Sequence, residues 1–304
     1  MRKVIVLTII ILLLFLGGCN SQDVIRVDLS KTSSEVMVDR PNPPRQGVYY
    51  FGFDRRLEIK EDVKMYVPFL RYLEKKTGYQ FKLHITPRNK SIVDELGNGV
   101  VQFAAVGTVS YLQAQEKYGV KSLVRGLGEN DGLYQAVIIT RLDSDIKGIN
   151  DLRGRSFAFG SRNSTQGHLI PRIMLAEAGI GQDSLSRYEF TGSHAEVANA
   201  VMSGQFDAGG LQDTLARALA SRGLVRIVAK SKFYPSSGIS VHPDVDPEVV
   251  AAVKKALIEF DPNGQDREGL YHWDQSEMPN GFMESREEDY QELKRWAEIF
   301  YLLN

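Results

Sequence analysis

The run Asn163-Ser164-Thr165-Gln166-Gly167-His168 holds the residues best suited to chemistry in this chain. It lies between an apolar segment, Ser156-Phe157-Ala158-Phe159-Gly160, and a stretch with Leu169, Ile170, Ile173, Met174 and Leu175 at helical spacing. Two hydroxyls and a glycine at a helix start present backbone N–H groups beside side-chain donors. Such a turn can hold a tetrahedral oxyanion without a full positive charge. The same residues also serve as ordinary helix N-caps, and the local sequence accommodates both roles. Reaction chemistry has less to stand on. The five histidines, at 84, 168, 194, 242 and 272, show no metal-binding spacing. There is no Gly-x-Ser-x-Gly elbow, no phosphate-loop lysine and no clear paired-carboxylate site. An exported enzyme acting on phosphate esters is a competing reading that no motif carries, so no catalytic residue, metal or cofactor is expected.

The elements that must position this turn alternate between strands and helices. Val48-Tyr49-Tyr50-Phe51-Gly52-Phe53 reads as a strand, 60–76 as an amphipathic helix with Val63, Tyr66, Val67, Leu70 and Leu73 on one side, and 81–85 as the next strand. A short helix starts at Ser91 and stops at 97–99, and 101–106 is a buried strand. The order implies a parallel sheet with helices on its faces. The rhythm restarts after residue 150, with strands at 156–159, 187–190, 207–211 and 225–229 and helices at 164–178, 193–203 and 213–222. Pro171 divides the 164–178 region: either a first turn ends near Leu169 or the helix is kinked. Residues 134–141 read as a strand leaving the first lobe and 233–241 as the return, with Pro235 and Gly238 as breakers. Two crossing strands suit a hinge that closes over a ligand. Helices at about 247–260 and 286–302 are expected to pack largely on the first lobe. The expected fold is thus α/β, with lobe one at 48–137 plus 238–304, lobe two at 138–237, and a cleft between them for binding.

The N-terminal region sets the compartment. Arg2 and Lys3 precede an apolar run from Val4 to Leu16, shorter than the roughly 20 residues of a membrane-spanning helix, then Gly17-Gly18-Cys19. This is the layout of a signal peptide over 1–18. Cys19 is the sole cysteine, so no disulfide forms within the chain. Residues 20–47 are polar and end in Pro41-Asn42-Pro43-Pro44-Arg45-Gln46-Gly47, as a tether would. Removal of the signal leaves 35 basic against 38 acidic residues, which gives no electrostatic footprint for nucleic acid.

Several segments, in order, resemble a known family. Leu16-Gly17-Gly18-Cys19 resembles the lipobox of bacterial lipoproteins, which implies lipid on Cys19 and anchoring to a membrane surface. Gly107-Thr108-Val109-Ser110-Tyr111, Asp151-Leu152-Arg153-Gly154-Arg155, Asn163 to Pro171, and Gly192-Ser193-His194 followed by 200–209 resemble solute-binding proteins for phosphonate, phosphite and related oxyanions. The likeness runs from about residue 47 to about 260. It implies a two-lobed periplasmic binding protein fold of type II, a small phosphorus oxyanion as ligand, an ABC permease as partner and a monomeric receptor. A membrane sensor protein is the alternative partner. By the resemblance, Ser164, Thr165 and the amides of Gln166 and Gly167 hold the anion from lobe two. His194 adds a hydrogen bond or charge, unless it merely starts a helix. Thr108 and Ser110 serve from lobe one, or form a turn-and-cap pair. Asp213 could meet a ligand amine or only cap the 213–222 helix, and Arg88 or Arg55 could supply positive charge. Gln166 departs from the family's serine, and Pro87-Arg88-Asn89 stands where many members have Asp-Tyr, which leaves the exact anion open.

Overall fold

Strand β1 (Val48–Phe53) begins the described part of the chain, and its buried Phe51 and Phe53 show why it lies inside a sheet. The computed structural model describes residues 47–54 and 59–303. All of these belong to the compact unit Pro43–Asn304. The expected signal, Cys19, the tether up to residue 46, and Arg55 lie outside the described residues.

Helix α1 (Ile59–Thr77) follows β1, with Glu61 and Asp62 in its first turn and Lys75 and Lys76 in its last, each complementing the helix dipole. Gly78 ends it at φ +76°. Its buried face is Met65, Tyr66, Phe69, Leu70, Tyr72 and Leu73, so Val63 and Val67 fall at the margin instead of the centre of the stripe. Phe69 is fully buried and stacks on Trp273, ring centroids 4.7 Å apart, with Phe260 edge-on at 5.3 Å. The C-terminal part of the chain thereby completes the first lobe's core. Strands β2 (Gln80–Leu83) and β3 (Phe103–Val106) flank β1, both parallel to it, as the alternating order requires. Helix α2 (Ile92–Gly97) is capped by Ser91, whose side chain accepts from Val93 N–H. Helix α3 (Thr108–Tyr118) and strand β4 (Lys121–Gly126), which periodicity did not single out, follow β3.

The chain then crosses. Strand β5 (Leu133–Tyr134) belongs to a two-stranded ribbon, and β6 (Ala136–Thr140) lies wholly in a second sheet. That sheet adds β7 (Ser156–Phe159), β8 (Arg187–Phe190), β9 (Ala208–Gln212) and β10 (Arg226–Lys230), in the order β8-β7-β9-β6-β10. Helices α4 (Ile170–Glu177), α5 (His194–Met202) and α6 (Asp213–Ser221) cover it. On the return, β11 (Tyr234–Pro235) pairs with β5, and β12 (Gly238–Val241) enters the first sheet between β3 and β4. Gly238 is needed there: a β-carbon would lie 1.8 Å from the carbonyl oxygen of Val124. With β13 (Phe282–Glu284) at its edge, the first sheet reads β2-β1-β3-β12-β4-β13. Each lobe thus places three parallel strands beside one antiparallel strand supplied by a crossing.

Helix α7 (Pro247–Ile258) packs on α1 in the first lobe, as expected. The last helix does not stay there. The expected 286–302 segment is a 3₁₀ turn (Glu287–Tyr290) and helix α8 (Gln291–Ile299), which touches α3 of lobe one and the turn before α4 of lobe two. Leu293 and Ala297 join a buried cluster that runs from Val109 and Leu112 to Leu169 and Ile173. Beyond α8, Gln113 Nε2 donates to the carbonyl of Leu302 at 2.6 Å, and the Arg172 guanidinium lies 4.1 Å over the Phe300 ring.

Candidate functional site

The parallel strands of both sheets end toward one cavity of about 350 Å³, the edge at which α/β sheets take ligands. From lobe two the cavity is lined by Ser164, Thr165 and Gln166 after β7 and by Ser193 and His194 after β8. Lobe one contributes Asp54 after β1 and Gly107 and Ser110 after β3.

The lobe-two turn has an unusual backbone. Thr165–Leu169 is a π-helical turn closed by Ile170 N–H to Thr165 C=O, and α4 starts only afterwards, with Pro171 in its first turn. The division near Leu169 is therefore realised, and its cause is visible. Proline at 171 has no N–H to offer the carbonyl of Gly167 four residues earlier. That carbonyl instead accepts from Gly160 N–H at 2.8 Å, which fastens the turn to the end of β7. The backbones approach so closely that a β-carbon on Gly167 would lie 2.8 Å from Ser164 Oγ, 3.1 Å from Gly160 Cα and 3.2 Å from His194 Cε1. Gly167 is thus a spacer that is not among the lining residues, and its amide donates to Ser164 Oγ at 2.9 Å, the N-cap role that the local sequence also allowed.

Thr165 is buried, and its Oγ1 accepts from Val109 N–H of α3 at 3.2 Å, a hydrogen bond from lobe one to lobe two. Gln166 Nε2 donates to the carbonyl of Gln135, just before β6, at 2.7 Å. Gln135 Nε2 in turn donates to the carbonyl of Ser231, whose Oγ accepts from Ala136 N–H at 3.0 Å. The longer amide at 166 therefore ties the turn to both crossings. His194 opens α5 behind the Ser193 cap, which accepts from Glu196 N–H. His168, next to the site, belongs to the core. Its Nδ1 donates to the carbonyl of Arg162 at 2.7 Å, its ring is edge-on to Phe159 and Phe190, and burial pushes its pKa down to about 4.

On the lobe-one side, Ser110 lines the cavity and its hydroxyl donates to Asp54 Oδ1 at 3.3 Å. Asp54 Oδ2 accepts from Gly107 N–H at 2.7 Å. Thr108 is buried behind this edge, hydrogen-bonded to the Tyr134 hydroxyl at 3.3 Å, and is not among the lining residues. Asp213 is not among them either. It starts α6, 3.5 Å from Arg217, and burial raises its carboxyl above the usual range. Arg88 is exposed and away from the cavity. Asp54, Asp62, Met65, Tyr66 and Glu277 line the cavity without having been singled out from sequence. For Asp54 a signal existed, since it directly ends the first strand. For Glu277 there was none, because it comes from an irregular C-terminal segment. Among the described residues no group is placed to hold a metal ion, and no helix is long and apolar enough to cross a membrane.

Two like-ordered α/β lobes, two crossings and a cavity at the facing strand ends define the two-lobed periplasmic binding protein class. A family profile described as "ABC transporter, phosphonate, periplasmic substrate-binding protein" matches residues 57–290, and the chain belongs to that family. It is 30% identical over 168 residues to the probable ABC transporter phosphite binding protein PhnD1 of Prochlorococcus marinus, a match spanning 52% of this chain and half of that relative. It is 28% identical to the phosphate-import protein PhnD of Mycolicibacterium smegmatis, over 65% of this chain and 67% of the relative. The fold is shared with the structure of PhnD1 from Prochlorococcus marinus in complex with methylphosphonate, with a TM-score of 0.74, 19% identity, and coverage of 86% of this chain and 100% of that one.

Proposed function

We propose that this protein is an extracytoplasmic, lipid-anchored receptor that captures a small phosphorus oxyanion between its lobes and delivers it to an ABC importer. The observation that carries the reading is the convergence of Ser164, Thr165, Gln166 and His194 from lobe two with Ser110 from lobe one on one cavity. Hydroxyl and amide donors at two helix starts suit an anion whose charge is spread over several oxygens. The cavity, about 350 Å³, leaves room for an organic substituent beside the anion. Met65, Tyr66 and Leu215 give such a substituent an apolar wall. The receptor is read as a monomer held at the membrane through Cys19, following the Leu16-Gly17-Gly18-Cys19 motif.

The test is a thermal-shift screen of the full-length chain in detergent against phosphate, phosphite, methylphosphonate, aminoethylphosphonate, sulfate and several amino acids. Stabilisation confined to one or two phosphorus oxyanions is the expected result, because a ligand of the native state raises the melting temperature. Equal or larger shifts with amino acids would overturn the ligand class. Cys19→Ser should move the protein from the membrane fraction to the soluble one with binding unchanged, and retention in the membrane would refute the anchor.

A further inference from the structure

The cavity has a second set of hydroxyls, supplied by neither helix start of lobe two. Ser237 comes from the return crossing, between β11 and β12, and Ser276 from the C-terminal segment after Trp273. Gly126, the last residue of β4, joins the two. Its N–H donates to the carbonyl of Ser237 at 2.8 Å, and its carbonyl accepts from Ser236 Oγ at 2.6 Å. A β-carbon on Gly126 would lie 2.5 Å from Met278 Cγ and 2.7 Å from the carbonyl oxygen of Glu277, so a side chain there would push the C-terminal segment off β4. Trp273 anchors that segment from within, since its Nε1–H donates to the carbonyl of Met278 at 2.8 Å. Its ring also lies edge-on to Tyr66 at 6.2 Å, which sets this frame beside the apolar wall. Both serines are thus held in place before a ligand arrives.

Neither serine spends its proton on this frame. Ser276 Oγ accepts from Met278 N–H at 3.1 Å, which leaves its proton to donate. Ser237 is 3% exposed, and among the described residues its hydroxyl has no hydrogen-bond partner, whereas the Ser236 hydroxyl is committed to Gly126. A buried hydroxyl that lines a cavity costs free energy until something polar completes it. Resting on the oxyanion reading above, we propose that Ser237 and Ser276 form a neutral subsite for a hydroxyl on the ligand's substituent, so that the preferred cargo is a hydroxylated organophosphonate. A hydroxyl both donates and accepts, which matches two serines that can do the same. An alkyl chain of equal length leaves Ser237 unpaired, and a site built for a hydroxyl rejects the analogue that lacks one.

Calorimetric titration of the full-length chain in detergent with hydroxyethylphosphonate and propylphosphonate tests this, because the pair differ only by a hydroxyl in place of a methyl. Phosphate, methylphosphonate and aminoethylphosphonate are titrated beside them. The native protein should bind hydroxyethylphosphonate at least about tenfold more tightly than propylphosphonate. Ser237→Ala should bring the two to within about threefold of each other, and Ser276→Ala should narrow the gap as well. The comparison in the native protein needs no variant, so a variant that fails to fold leaves the test standing. Equal affinities there, or binding of phosphate or methylphosphonate with neither longer ligand, would overturn the subsite and leave the oxyanion receptor intact. A folded Ser237→Ala that weakens both ligands alike would overturn it by giving Ser237 to the anion. A preference for aminoethylphosphonate over hydroxyethylphosphonate would overturn it in favour of an ammonium. Binding of no phosphorus oxyanion by the native protein would remove the functional reading and this inference together.

Discussion

At the scale of single residues, neighbouring side chains in the site carry different duties. Thr165 and His194 face the cavity, but Thr165 also joins the lobes through Val109. Thr165→Ala should therefore weaken ligand binding at least tenfold, since a hydrogen bond to a charged group contributes about 1.5–3 kcal/mol. His194→Ala should weaken binding with little change in melting temperature. Titration of both variants checks this, and unchanged affinity in both would displace the site. His168 has no such role, and its test is stability. Its folded pKa of about 4 is depressed, so the unfolded chain takes up the proton first as pH falls. Stability should be whole above the ordinary histidine range and should drain away as pH drops toward about 4, by about 3 kcal/mol in all. Melting temperature against pH should show this slope in the native protein and a shallower one in His168→Phe.

At the scale of elements, the π-helical turn shows what the sequence made legible and what it withheld. The strand, the hydroxyl pair and the break before Pro171 could all be read from residue types and spacing. The destination of the orphaned Gly167 carbonyl could not, because Gly160 N–H reaches it only once β7 and the turn are side by side. Helix α3 was hidden for a related reason. Its first turns are buried, with the polar Thr108 and Ser110 among the buried residues, and its start carries no side-chain cap from Gly107, so Thr108 and Ser110 looked like a turn. Asp54 supplies the missing carboxylate from 53 residues away, a distance that no local pattern spans. The crossing strands and the alternation of both lobes were legible because strands buried on both faces, parallel or not, are continuous apolar runs. The turn's geometry leads to a prediction. Gly167→Ala places a methyl against Ser164, Gly160 and His194, and should cost about 1–3 kcal/mol in chemical denaturation while also weakening the ligand. A fully stable variant would mean that the turn is slack.

At the scale of the whole molecule, α8 binds the lobes to each other. Packing largely on lobe one, as expected from sequence, describes only part of its contacts, because its apolar residues, Leu293 and Ala297, enter a buried cluster shared by both lobes. Phe300 and Leu302 extend that tie to Arg172 and Gln113. Removing it with Arg172→Ala and Phe300→Ala should favour lobe separation. Apparent affinity then falls in proportion to the binding-competent fraction, although no cavity residue has changed. Stopped-flow binding should show a faster off-rate, and an unchanged one would leave α8 a purely local support.

Gln166 is fastened to Gln135, and Gln135 and Ala136 are fastened to Ser231, so a tilt of the pocket floor is passed as torque to both chain crossings at once. Under the proposed receptor reading the pivot is geared to the cargo: a solute seated against that floor would stiffen the axle on which the halves swing, and whatever prises the halves apart would unlatch it from behind, without reaching into the cavity.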